Sequence, residues 1–322
     1  MAARATPGGA AWPSLRVASW TDTRDTLHMW LQIIGKIRMS ETPLINHWWN
    51  TTFYVSPRGL VTGTMPYDGR AFDAEFDFID HVVTLRTSDG RRDTVALRPR
   101  TVADFYGDVK GTLARLDIGV EILPRPNEVS PAIPFEEDTE HHSYDAEAAH
   151  LFWKQLVQAD RVFQLWRAGF AGKSSPVHVF WGAMDLACTR FSGRAAPPHP
   201  GGVPNCPDWV NEEAYSRECA SAGFWPGGGE EGAFYAYSYP TPDGYAEQPA
   251  GPEGAQWDSS LGEFLLPYEV VRRSSDPDAM LLQFLDVTYA AAADLAQWDR
   301  KLLDVDPHRL DAFINSEPRT SI

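Results

Sequence analysis

Residues 71–80 read AFDAEFDFID, and the alternation is unbroken. Phe72, Ala74, Phe76 and Phe78 fall on one side of an extended chain, and Asp73, Glu75 and Asp77 fall on the other. Successive side chains of a strand point to opposite faces, so this segment packs one face and leaves an acidic face towards water. A sheet covered on both sides would not accept that acidic row. The pattern therefore predicts antiparallel pairing, and the next residues supply it. HVVTLRTSDGRRDTVALRP, from residue 81, reads as a hairpin turning at Asp89-Gly90.

Helices frame these strands. In TRDTLHMWLQIIGKIRM, Leu27, Trp30, Ile34 and Ile37 recur at helical spacing, while His28, Gln32 and Lys36 form a polar stripe at i, i+4, i+8. Pro43 bars further helix. A second helix starts near Thr101 and ends by Gly119, and a short strand is expected at VEILPRP. Residues 124–143, rich in proline and acid, read as a linker. A long helix follows, capped by Ser143 or Asp145. Strands are expected at residues 175–193, AFYAYSYP and GEFLLPYEVV, before a final helix from Asp276 to Leu303.

The expected class is α+β, with helices packed on mostly antiparallel sheets. The expected division is a flexible N-terminus (1–12), a helix–sheet–helix half (13–123), the linker (124–143), a second such half (144–304) and a polar tail (305–322). Each half runs from a helix through a glycine, a lysine and a proline to an aromatic strand opening on His47 or His178. That shared order suggests a tandem duplication.

Composition narrows the partners. The formal net charge of −16 argues against nucleic acid, because an acidic surface repels phosphates. Three scattered cysteines, with no C-x-x-C, fit a reducing cytoplasm better than a disulfide framework. No segment reads as a signal peptide or a membrane span, so no membrane partner is expected and a cytoplasmic location is. Twelve tryptophans point to a core with polar handles or to an indole-lined ligand cavity.

NHWW, DFIDH, SPVHVFWG…TRFSGR, PPHPGGVPN, GFWPGGG and GEFLLPYE together resemble the DUF5996 family, a bacterial group of proteins whose function is unknown. The resemblance covers about residues 12–303. It implies a single-family protein and supplies no activity and no site residues.

The site must then be read from residue chemistry. One reading gathers His47 and His178 in a cavity, with a divalent metal completed by Glu263, Asp185 or His81. Another uses the histidines without metal for acid–base work. The plainer reading makes each a core histidine bonded to backbone and packed on tryptophan. If residues 175–193 form one strand, His178 and Asp185 face opposite ways unless a bulge at Gly182 resets the register. The expected wall is His47, Trp49, His178, Trp181, Asp185, Arg190, Tyr237 and Glu263. Arg190 would anchor an anion, and His178, His47, Asp185 and Glu263 would do the chemistry. Glu263 and Glu269 lie among apolar residues, where a carboxyl would hold its proton. His141, His142 and Asp145 form a second, weaker metal candidate. Lys36 and Lys173 read as helix-end cations. No nucleotide, haem or nucleophile-elbow motif is present. Two function classes remain: an enzyme on a small organic molecule, metal-assisted or not, and a non-catalytic small-molecule binder. Converging histidines with a carboxylate would favour the first. Dispersed histidines around a tryptophan-lined cavity would favour the second.

Overall fold

The structure, a computed structural model, describes residues 12–308. Most of the N-terminus and the tail expected to be loose therefore lies outside the described residues. Trp12 is not loose. It is buried, and its indole N–H donates to Asp278 at 3.2 Å.

The described residues form an α+β fold of seven α-helices and two six-stranded antiparallel sheets. The first sheet holds β1 (Tyr54–Val55), β2 (Gly59–Val61), β4 (Arg70–Asp77), β5 (Val82–Thr87) and β6 (Arg92–Ala96) in that order, with β3 (Met65–Tyr67) also paired to β4. The alternating segment is β4, and its four apolar residues are all buried. Its acidic face is drier than the pattern suggests. Glu75 and Asp77 are also buried, under Arg86 and Arg58. The hairpin at Asp89-Gly90 joins β5 to β6 as expected.

The second sheet runs β11 (Gln256–Asp258), β12 (Glu263–Pro267), β10 (Ala233–Tyr239), β9 (Arg217–Trp225), β8 (Asp185–Ala195), β7 (His178–Phe180). Its back packs on α3 (Ala146–Ala168) and α6 (Pro277–Leu295). α1 (Val17–Glu41) packs on α2 (Val102–Arg115) and α3, with Trp30 stacked on Phe105 at 4.6 Å. Thr101 and Asp145 cap α2 and α3 through side-chain acceptors. Phe53 and Val179 exchange both backbone hydrogen bonds, at 2.8 and 2.9 Å, and tie the N-terminal sheet region to β7. One apolar core runs through both halves.

Five local expectations need correction. His47 is not in a strand. Asn46–Trp48 make one 3₁₀ turn in which His47 and Trp48 both have φ of 60°, and only Tyr54–Val55 of that segment is extended. The composition looked like a strand because these aromatic side chains are packed, Trp48 against Trp209 of a helix and His47 and Trp49 against Phe191 of the second sheet, but their own backbone joins no ladder. Residues 175–193 are two strands. β7 and β8 form a hairpin whose turn contains Met184 at φ 64°. Residues 120–126 form no strand. The final helix breaks at Gln297, where φ is 54°, leaving α7 (Arg300–Leu303) separate. GEFLLPYEVV likewise splits into β12 and α5 (Tyr268–Arg273), so Glu269 is helical.

Candidate functional site

The front of the second sheet is the floor of a cavity of about 820 Å³. The register explains which residues form it. Phe180 pairs with Asp185, Thr189 with Ser221, Ser221 with Tyr237 and Gly223 with Tyr235. Directly opposed residues share a face. Asp185, Ala187, Thr189 and Phe191 therefore project from β8 beside Ser221 and Trp225 of β9, and beside Tyr235 and Tyr237 of β10. Glu263 and Leu265 close the row on β12.

The roof comes from distant parts of the chain. The turn carrying His47, Trp48 and Trp49 forms one side, and α4 (Asp208–Ala214) leans on it. The backbone N–H of His47 donates to Glu213, its Nδ1–H donates to the Ala214 carbonyl at 2.5 Å, and the Trp48 indole donates to the Val210 carbonyl at 3.1 Å. Lys36, Asn127, Glu128 and Trp181 form the other side. Here the polar stripe of α1 finds its purpose. His28 Nε2 lies 2.9 and 2.8 Å from the carbonyls of Trp181 and Gly182, gripping the β7–β8 turn. Gln32 exchanges two 2.8 Å hydrogen bonds with the backbone of Asn127, and Lys36 Nζ donates to the Asn127 side chain. All three stripe residues thus face protein. The segment expected to be a linker is pinned to α1 by Gln32 and Lys36, and it presents Glu128 to the cavity.

Two glycines make room for polar side chains. A Cβ on Gly223 would collide with the Tyr235 phenol, which lies across that strand. Tyr235 thereby reaches Asp185, to which its hydroxyl donates. A Cβ on Gly182 would collide with the Glu128 carboxyl.

The electrostatics follow from burial. Asp185 is pushed up to about 6 by desolvation, against the opposing pull of the Tyr235 hydrogen bond. Glu128 is pushed up to about 7 by desolvation and then by the charge of Asp185. Glu263 is also pushed up to about 7, by desolvation and then by Asp185 and Asp258. Desolvation brings Lys36 down to about 8 and lowers His47. Tyr235 is held well above its usual value by burial and by Asp185. Three carboxyls that exchange protons near neutrality thus share one cavity.

Of the expected wall, His47, Trp49, Trp181, Asp185, Tyr237 and Glu263 line the cavity. His178 and Arg190 do not. His178 shares a face with Phe180 but lies wholly buried under Thr52, whose hydroxyl is 3.0 Å from Nδ1. Its Nε2 has no partner, and burial brings its pKa down to about 3. Arg190 points out of the back of β8. Its guanidinium lies 3.9 Å from the Trp166 ring centre and 4.3 Å from that of Tyr289, and donates to the Trp166 carbonyl. It anchors α3 and α6 to the sheet and meets nothing in the cavity.

The metal set of His47, His178 and Glu263 is therefore not assembled. Among the described residues no three His, Cys, Asp or Glu side chains gather as a metal-holding group. His141 binds Asp138 at 2.7 Å, His142 the Glu140 carbonyl at 2.7 Å, and Asp145 caps α3. Lys36, Asn127, Glu128 and Tyr235 are cavity residues that the expected wall left out. Tyr235 left a sequence signal as the face-mate of Tyr237 in AFYAYSYP, and Lys36 as part of the polar stripe of α1, whereas Asn127 and Glu128 left none.

Among the described residues no helix is long and apolar enough to cross a membrane. No curated protein and no solved structure matches the chain. A family model described as a family of unknown function, DUF5996, matches residues 12–305, nearly the whole length. The chain is a member of that family.

Proposed function

We propose that the protein binds a small organic molecule in the cavity on the front of the second sheet. The observation that carries this reading is the union of shape and lining. A space of about 820 Å³ is walled by tryptophan, tyrosine and phenylalanine and holds a few convergent polar groups. The dispersal of the histidines shifts weight to binding, because His178 belongs to the core and His47 to the junction with α4.

A second reading, an enzyme acting on the same molecule without a metal, is favoured by one specific arrangement. Asp185 is hydrogen-bonded to Tyr235 and shares the cavity with Glu263, so a proton donor and a proton acceptor would lie beside the ligand at neutral pH. The compartment we propose is the bacterial cytoplasm. All three cysteines are free, and the acidic surface suits a small-molecule partner better than nucleic acid.

Native mass spectrometry of protein purified under gentle conditions tests the binding reading. The expected result is a small molecule that co-purifies, or one found by thermal-shift screening, whose affinity falls when Trp49 or Trp181 is replaced by alanine. A screened set of aromatic and aliphatic molecules that leaves Tm unchanged, with nothing co-purified, would overturn it.

A further inference from the structure

We infer that the ligand is an amine, held as its ammonium form with the cationic nitrogen among Asp185, Glu263 and Glu128 and with its apolar body against the aromatic wall. This rests on the binding reading above and names its ligand class.

The observation behind it is a contrast between the acids buried elsewhere in the protein and the carboxyls that line the cavity. Among the described residues, each of the other buried acids has a basic side chain beside it. Asp77 pairs with Arg58, Glu231 with Arg272 at 2.8 Å, Glu75 with Arg86 at 2.9 Å, and Asp138 with His141 at 2.7 Å. In the cavity the pattern stops. Asp185, which is 9% exposed, has only the Tyr235 hydroxyl as a side-chain partner. Among the described residues the carboxyls of Glu128 and Glu263 have no ion pair and no hydrogen bond. The one lysine on the wall does not serve them, because Lys36 is turned to Asn127 and lies 5.6 Å from the Trp181 ring centre. A buried carboxylate without a cation is costly, as at Asp185, and with the half-buried Glu263 and the exposed Glu128 on the same wall the space carries three carboxyls and, among the described residues, no ion pair.

The fold goes to some length to keep these acids where they are. Gly182 leaves room for Glu128, and Gly223 leaves room for the tyrosine that orients Asp185. The rest of the wall suits the same ligand. Tyr235 and Tyr237 stack at 6.1 Å with their planes 19° apart, and Trp49 and Trp181 stand opposite this floor. Electron-rich ring faces attract a cation, and do so more strongly where water is thin. An anionic ligand would meet three carboxyls and one occupied lysine. A neutral apolar ligand would leave the acids unpaired.

The test uses three probes of one shape: 4-phenylbutylamine, 4-phenylbutan-1-ol and 4-phenylbutyrate, titrated calorimetrically into the full chain at pH 8, where the carboxyls are ionised. The expected result is at least tenfold tighter binding of the amine than of the alcohol, weaker binding still of the carboxylate, and loss of the amine preference in Asp185→Asn/Glu263→Gln. A preference of less than tenfold in the wild-type protein overturns the inference while leaving the cavity as a small-molecule site. That comparison needs no variant, so it holds even if the double substitution fails to fold. A preference that survives in a folded double variant also overturns it. If none of the three probes binds, the cavity reading itself fails, and the inference falls with it.

Discussion

Replacing His178 by asparagine will remove a pH-dependent loss of stability without touching the cavity. The wild-type imidazole is wholly buried, and its pKa falls from 6.5 to about 3 through desolvation and the nearby charges of Arg38 and Arg167. Folded, it stays neutral as the pH is lowered towards 3. Unfolded, it takes a proton below about 6.5. Between those values the unfolded state binds the extra proton, so stability falls as pH falls. At pH 5.0, one and a half units below the unfolded pKa, the loss is about 2 kcal/mol, and at pH 7.5 it is close to zero. Asparagine keeps a polar atom near Thr52 and does not titrate. Urea unfolding at the two pH values gives the difference directly. Going from pH 7.5 to 5.0, the wild-type protein should lose about 2 kcal/mol more than His178→Asn. Every other titrating group is common to both proteins and cancels. Equal losses would refute the argument, because they would mean that the imidazole is either protonated in the folded state or open to water.

The cavity and its frame yield further expectations. Tyr235→Phe removes the donor that holds Asp185 down, so the midpoint of amine-probe binding should move to higher pH, as read by calorimetry across pH 5 to 8. In the wild-type protein, affinity for the amine should rise with pH through about 6 to 7 as Asp185, Glu128 and Glu263 ionise, and a flat profile would contradict those assignments. Gly223→Ala should cost about 1–3 kcal/mol in urea unfolding and weaken probe binding, since the new methyl strikes the Tyr235 phenol and the Leu186 carbonyl, whereas Gly182→Ala, which meets only the end of the Glu128 side chain, should cost less. Arg190→Met should lower Tm but leave probe affinity within about twofold, because the guanidinium lies behind the sheet. His47→Ala should speed hydrogen exchange across residues 208–214 by freeing α4 from its clamp.

The fold was readable where one strand or helix face met one environment. β4, the β5–β6 turn and the caps at Thr101 and Asp145 obey local rules, and all are where those rules put them. The errors share a cause, which is tertiary contact overriding local pattern. His47 lies among residues of strand-like composition, yet its backbone turns left-handed because the ring and the N–H are taken by the end of α4, some 166 residues away. Residues 175–193 read as one apolar run because both arms of a hairpin are buried, and the turn between them carries no Asn-Gly or Asp-Gly. Arg190 and Asp185 are five residues apart on one strand, so they lie on opposite faces, and periodicity could have separated them. The polar stripe of α1 was visible, but nothing local shows that it would face a proline-rich segment instead of water. Glu128 was hidden for the same reason, since an acid in such a segment looks solvated.

The cavity takes Lys36 from the first helix, Glu128 from the middle of the chain and Leu265 from the last strand of the second sheet. No single element or half of the chain contains it. A molecule seated there touches both halves at once and has nothing comparable to hold in a partly unfolded chain. Occupancy would therefore act as a keystone. At a concentration one hundred times its Kd, such a ligand would add about 2.7 kcal/mol to global stability, and it would do so for the N-terminal sheet as much as for the sheet it rests on.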